Sequence, residues 1–204
     1  MDALMLVLAD SRFPAGAHAH SLGLEEAVNQ GLTDVPAFAA ARLRLVAEAD
    51  ARIAVAARRG DVDGAEAEWL ARCPSPILRD VGMRLGAQLL RSAAATWPVT
   101  PRRTPRPVAL GELGAVAGID DEGVALLALY DDAATVTSAA LKLLPLDPAV
   151  TTSWLAELAP QMELAARAIA ADDRPLADQP APAAVALELA APVHHAREER
   201  LFAS

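Results

Sequence analysis

Ile77, Val81, Leu85, Leu89 and Leu90 recur close to an i, i+4, i+8 spacing, which sets them on one face of a helix. Ser75 followed by Pro76 supplies a start signal for it: a hydroxyl to accept an orphan amide, then a proline whose missing N–H costs nothing in the first turn. The same reading runs along the chain. Leu4–Ala9 is a short buried segment of helical composition. A helix over 22–30 follows, with Ser21 as N-cap and Gly31 as stop. Asp34 and Pro36 open a longer helix that reaches Arg59, and Asp61 caps another through Trp69 and Leu70. Val108–Ala117 reads as a short helix stopped by Gly118. Asp120 caps the next, with Ile119 and Val124 spaced for a hydrophobic staple. Val124, Leu126, Leu127, Leu129 and Tyr130 make that helix apolar nearly all round, as expected of a central element. Asp131-Asp132 is expected to interrupt it before a continuation over Thr135–Leu144. Asp147-Pro148 opens a last long helix ending near Ala171.

Two stretches break the pattern. Trp97–Pro107 carries four prolines among three arginines and reads as an extended internal loop. From Asp172 to Pro192 the chain is rich in Pro, Ala and Asp, and is expected to be extended or mobile apart from a helical turn around Val185–Leu189. The expectation is an all-α, single-domain helical bundle over residues 1–171, with a long Pro-rich loop, followed by a Pro/Ala-rich C-terminal tail over 172–204.

Composition agrees. Hydrophobic residues are 53% of 204 but aromatics only 3%, so the core must be built from Ala, Leu and Val, and Ala and Leu favour helices over strands. A net charge of −9 argues against nucleic acid, which needs a cationic face, and against anionic lipid. No apolar run approaches the roughly 20 residues of a membrane span, and the N-terminus lacks a basic leader region. A cytoplasmic protein is expected. Cys73 is the lone cysteine, so no disulfide within the chain can form.

Candidate chemistry concentrates at the two ends. Phe13-Pro14-Ala15-Gly16-Ala17-His18-Ala19-His20-Ser21-Leu22-Gly23-Leu24-Glu25 joins a turn, two histidines, a helix start and a carboxylate. His18 and His20 are candidate nickel or zinc ligands, although the i, i+2 spacing is not that of a zinc-protease helix. Alternatively they hydrogen-bond within the helix-entry turn or at an interface. Glu25-Glu26 could serve a general base, or place one carboxylate at an interface and one in solvent. The Arg102–Arg106 stretch suits an acidic partner or a solvated loop. No phosphate-binding loop and no nucleophile elbow occur. At the other end, Arg200-Leu201-Phe202-Ala203-Ser204 sets two large apolar side chains where chain ends are normally polar and frayed. They must fold back or enter a partner.

Three segments together resemble urease accessory protein F: the Phe13–Glu25 signature, Ala139-Ala140-Leu141-Lys142-Leu143-Leu144-Pro145-Leu146-Asp147, and the Arg200–Ser204 terminus. Arg84–Leu90 and Pro107–Gly111 add to the likeness. The sequence departs from the family pattern at His18, where an aromatic is commonest, at Ala19, which replaces a hydroxyl residue, at Lys142, where arginine is expected, and at Arg106, where histidine is commoner. The resemblance implies an all-α, non-enzymatic maturation factor that forms a dimer. It implies binding to accessory protein D (also called H), recruitment of the nickel-carrying GTPase, accessory protein G, and docking on apo-urease. It implies no tightly bound cofactor, nickel being handled by the complex. By position it implies a partner-binding surface: Glu25 toward the GTPase, with His20 and Ser21 shaping that face; Lys142 at the basic position; and Arg200, Leu201, Phe202 and Ser204 holding protein D. The alternatives are a helical metal-dependent hydrolase built on His18, His20 and Glu25, or a generic helical scaffold.

Overall fold

A computed structural model describes residues 3–10, 13 and 19–203. The helices are α1 (Ala3–Ala9), α2 (Leu24–Asn29), α3 (Val35–Arg42), α4 (Glu48–Arg58), α5 (Val62–Arg72), α6 (Pro76–Ala93), α7 (Arg106–Val116), α8 (Asp121–Leu143), α9 (Pro148–Ala170) and α10 (Val185–Ala196). No strand occurs among the described residues. The expected all-α fold is present.

The capping signals act as read. Asp34, Asp61, Ser75 and Asp120 each accept the backbone N–H three residues on, at Ala37, Gly64, Leu78 and Gly123. Asp147 accepts from Ala149. Gly31, Gly60 and Gly118 take positive φ just past their helices, the left-handed stop that glycine adopts without a Cβ penalty. The expected helix from Asp34 to Arg59 is continuous in space, but its middle, Leu43–Ala47, widens into one π-helical turn.

Four expectations need correction. Leu4–Ala9 is helical but not buried: α1 encloses none of its residues, and Leu6 and Val7 are exposed because only one side of this short helix meets the bundle. Asp131-Asp132 does not interrupt the central helix; α8 runs unbroken for 23 residues. The two carboxylates are accommodated because each meets a guanidinium: Arg42 grips Asp132 with three hydrogen bonds of 2.8–3.0 Å, and Arg106 grips Asp131 at 2.8–2.9 Å. The helix over 22–30 starts later, at Leu24, because Leu22 and Gly23 both adopt left-handed backbone, φ 54° and 89°. In the tail, the expected turn at Val185–Leu189 is the start of a 12-residue helix.

α8 packs against α9 and α4, α4 against α7, and α6 against α7. The main core joins Leu24, Val35, Leu43, Leu129, Val136, Ile169 and, from the far end of the chain, Phe202. A second cluster gathers Leu89, Leu90, Trp97, Leu113 and Val124. A third sets Ile53, Trp69 and Val108 together. α8 is the one described helix long and apolar enough to cross a membrane by composition; it lies at the centre of the bundle, with Val124, Ala125, Leu129 and Val136 fully enclosed. The Pro-rich loop is pinned rather than loose: Thr104 is buried and donates to Glu66 at 2.9 Å, Arg102 pairs with Glu112 at 2.7 Å, and Arg103 pairs with Asp80.

Small residues set the closest helix approach. A Cβ built at Gly111 of α7 would run into the carbonyl oxygen of Ala54 on α4. Overpacking of this kind costs about 1–3 kcal/mol. Gly111→Ala is therefore expected to lower the unfolding free energy by that amount, read as a lower denaturant midpoint at unchanged slope, without changing helix content by circular dichroism; an unchanged midpoint would show that α4 and α7 are free to separate.

Candidate functional site

The site is the meeting of the chain's two ends. α2 has only six residues, too few for a stable isolated helix, so its position is imposed from outside. Left-handed backbone at a non-glycine residue costs about 1–2 kcal/mol, and Leu22 is held in it by Arg42, whose guanidinium donates to the Leu22 carbonyl at 3.1 Å. Gly23 is needed for its positive φ, and it lies against the tip of Leu187 of α10, whose Cδ2 would stand 2.8 Å from an added Cβ and would have to swing aside. Ser21, expected to cap α2, lies one turn before it and accepts the Glu25 N–H at 3.3 Å.

Glu25 and Glu26, the first acidic residues of α2, both turn inward, 4% and 1% exposed. The expectation of one interface-facing and one solvent-facing carboxylate does not hold. Glu25 accepts three bonds from the C-terminal segment: His194 Nε2 at 2.8 Å, the Leu201 N–H at 2.7 Å and the Phe202 N–H at 3.1 Å. Burial alone would raise its pKa, but these donors hold it below the ordinary glutamate value. Glu26 accepts from Arg197 Nε at 2.5 Å and Nη2 at 2.9 Å, and from Gln30. The Arg197 bonds carry its pKa down as well, against burial. Ala203 N–H donates to the Ala19 carbonyl at 2.8 Å, and Lys142 Nζ stands 5.1 Å from the centre of the Phe202 ring.

The sequence-derived residues therefore separate into two groups. Ser21, Glu25 and Phe202 are buried. Arg200, Leu201 and Lys142 are exposed, and Arg200 Nη1 donates to His195 Nδ1 at 3.5 Å. His20 is half-buried, its pKa lowered to about 4 by burial and by the nearby Arg106 and Arg84 charges, so the ring is neutral at physiological pH. His18 and Ser204 lie outside the described residues, so the His18–His20 ligand pair falls outside them too. Among the described residues no group of three or more His, Cys, Asp or Glu side chains is placed to hold a metal ion. Burial pushes the Cys73 thiol up to about 12, which keeps it protonated.

Sequence reasoning singled out Glu26 beside Glu25 but missed the pairings that build this site, His194 with Glu25 and Arg197 with Glu26. Their partners are separated by 169 and 171 positions, and the only cue was an unusually charged segment, His194–Arg200, inside an apolar tail. It also missed the cavity beneath α10. This space of about 620 Å³ is bounded by Leu22, Trp69, Val81, Leu187, Arg42 and Asp50, among others. Asp50 accepts from Trp69 Nε1 at 3.1 Å, and burial together with the Asp132 charge raises its pKa from 3.8 to about 7.

These carboxylates, imidazoles and guanidinia are matched to one another, so their work is to fix a surface. The arrangement defines a helical protein whose paired charges fasten its C-terminal segment onto α2. Comparison with known proteins makes this specific. A family profile described as UreF matches residues 17–159. The urease accessory protein UreF of Mycobacterium marinum is 40% identical over 218 residues, spanning 99% of this chain and 98% of that protein. The protein of the same description from Mycobacterium tuberculosis strain H37Rv is 40% identical over 184 residues, covering 83% of this chain and 87% of its own length. That of Mycobacterium sp. strain JLS is 37% identical over 211 residues. The chain belongs to the UreF family of urease accessory proteins, a chaperone-type family rather than an enzyme family. It acts with other urease maturation factors.

Asp50 supplies a pH test. Its folded pKa lies above its unfolded value, so the folded state holds the extra proton, and stability from this group falls as pH rises from about 4 to about 7. Asp50→Asn keeps the acceptor for Trp69 and removes the titration. Its melting temperature is expected to exceed that of the unsubstituted chain at pH 8, with a smaller difference at pH 5; an equal difference at both would show that Asp50 is ionised throughout.

Proposed function

We propose that this protein binds accessory protein D (also called H) through the face built by α10 and the C-terminal segment. The pair then recruits the nickel-carrying GTPase, accessory protein G, and docks on apo-urease for nickel insertion. Nickel is cargo of the complex, and the protein carries no tightly bound cofactor. It works in the cytoplasm as a homodimer within that complex.

The observation that carries this reading is the apolar outer side of the docked tail. Val185, Leu189, Val193 and Leu201 are 50–70% exposed, on a segment that Glu25 and Glu26 hold in place. Large apolar side chains left in water together are the usual mark of a protein interface. The net charge of −9 favours a basic partner surface. In this reading Lys142, Arg200 and Leu201 line the outer face, and Ser204 is a further partner contact. Ser21, Glu25 and Phe202 act from beneath, and His20 borders the cavity behind them.

Co-expression with protein D, followed by size-exclusion chromatography with light scattering, tests the proposal. A stable complex containing two copies of each chain is the expected result, and addition of the GTPase is expected to increase its mass further. Deleting Arg200–Ser204 is expected to abolish capture of protein D. Full capture by the truncated chain, or no complex with the intact one, would overturn the reading.

A further inference from the structure

The Arg102–Arg106 stretch suits either an acidic partner or a solvated loop, and its three arginines take different places. Arg106 turns inward to Asp131, and Arg102 pairs with Glu112 at 2.7 Å. Each of these has a carboxylate to itself. Arg103 turns outward, its side chain 56% exposed, and meets Asp80 of α6. Arg84, 63% exposed, meets the same Asp80 at 2.7 Å. Two guanidinia thus share one carboxylate. Arg91, also exposed, lies two turns farther along the same face of α6.

A solvated loop needs no anchorage, yet this one has it. Thr104, next to Arg103, is fully buried and donates to Glu66 at 2.9 Å. The Thr104 carbonyl oxygen fills the notch left by Gly86 of α6, where an added Cβ would stand 2.0 Å from it. Pro101 and Pro105 restrict the backbone on either side. Arg103 is therefore held against α6 beside Arg84, which removes part of the ordering cost from an association. The charge reaches the signature turn, where burial and then the Arg106 and Arg84 charges bring the His20 pKa down to about 4.

We propose that Arg84, Arg91 and Arg103 form a docking face for an acidic segment of a protein partner. Asp80 is the internal carboxylate that the partner's carboxylates join. Arg84 and Arg103 each give Nη2 to Asp80, and a guanidinium has donors for a further carboxylate. The chain's net charge of −9 does not prevent this, because exposed charges farther off than about 8 Å are largely screened at physiological salt. It does disfavour nucleic acid, whose phosphates present a dense line of charge. The face lies on α6 and the Pro-rich loop, so it stands independently of the protein D surface proposed above.

Fluorescence anisotropy of a labelled octaglutamate peptide, titrated with the intact chain at about 50 mM salt, reads the face. Binding is expected, and is expected to weaken as salt rises to about 200 mM. The double variant Arg84→Glu, Arg103→Glu is expected to lower affinity at least about tenfold, since two exposed pairs of about two- to fivefold each become repulsions. Arg91→Ala is expected to lower it by about two- to fivefold. Asp80→Asn frees both guanidinia and is expected to tighten binding by about two- to fivefold, a gain that a merely structural role for Asp80 would not give. These four side chains reach solvent, so circular dichroism is expected to be the same for every variant. Thr104→Val is expected to weaken binding with all the arginines in place, by loosening the anchored loop. No binding by the intact chain, or equal binding by the double variant, would overturn the proposal even if Thr104→Val fails to fold. Equal or tighter binding of an oligothymidylate of the same length, lost in the double variant, would make the face a general polyanion site and overturn the protein partner.

Discussion

A carboxylate taken out of water must be matched by donors, and Glu25 is matched by the far end of its own chain. Its oxygens receive His194 and the amides of Leu201 and Phe202. Beside it Glu26 receives Arg197. The pair works in both directions. The tail would fray without its acceptors, and two buried anions on a six-residue helix could not persist without their donors, since an unmatched buried charge costs several kcal/mol. This dependence joins the termini into one surface and makes the signature helix and the tail a single structural unit.

The same rule governs the bundle interior. α8 carries two adjacent aspartates midway along an otherwise apolar helix. They are tolerated because α3 and α7 each bring an arginine to them, Arg42 to Asp132 and Arg106 to Asp131. Arg42 also reaches the Leu22 carbonyl, so the network that keeps α8 whole steadies the left-handed turn that aims α2. Near the other end of α4, Arg59 pairs with Asp121 and donates to the Ala170 carbonyl at the end of α9. An acidic, arginine-rich chain thus uses its charges as internal fasteners as much as surface solvation.

For a maturation factor this is a fitting division. The inner faces of the tail are committed to the bundle, while Val185, Leu189, Val193 and Leu201 stand exposed on its outer side. The site's ionisable groups set where a surface stands. The cavity under α10 and the raised pKa of Asp50 add a region of low packing and proton-dependent stability close to that surface.

Much of the fold was legible locally. The helix starts at Asp34, Asp61, Ser75, Asp120 and Asp147, and the stops at Gly31, Gly60 and Gly118, follow from side-chain acceptors and permissive backbone, which act within a few residues. The family likeness, too, lay in short segments, Phe13–Glu25 and Arg200–Ser204 among them. What the sequence could not decide was which charges would meet. Glu25 with Phe202, and Arg42 with Asp132, lie 177 and 90 positions apart. No periodicity encodes such a pairing, and burial inverted the local reading of each: Asp131-Asp132 read as a helix break and Glu25 as a surface contact. Only the packed chain determined that these carboxylates were to be neutralised from within, because a partner supplied by the tertiary fold changes the free energy of a charge more than any neighbour in sequence does.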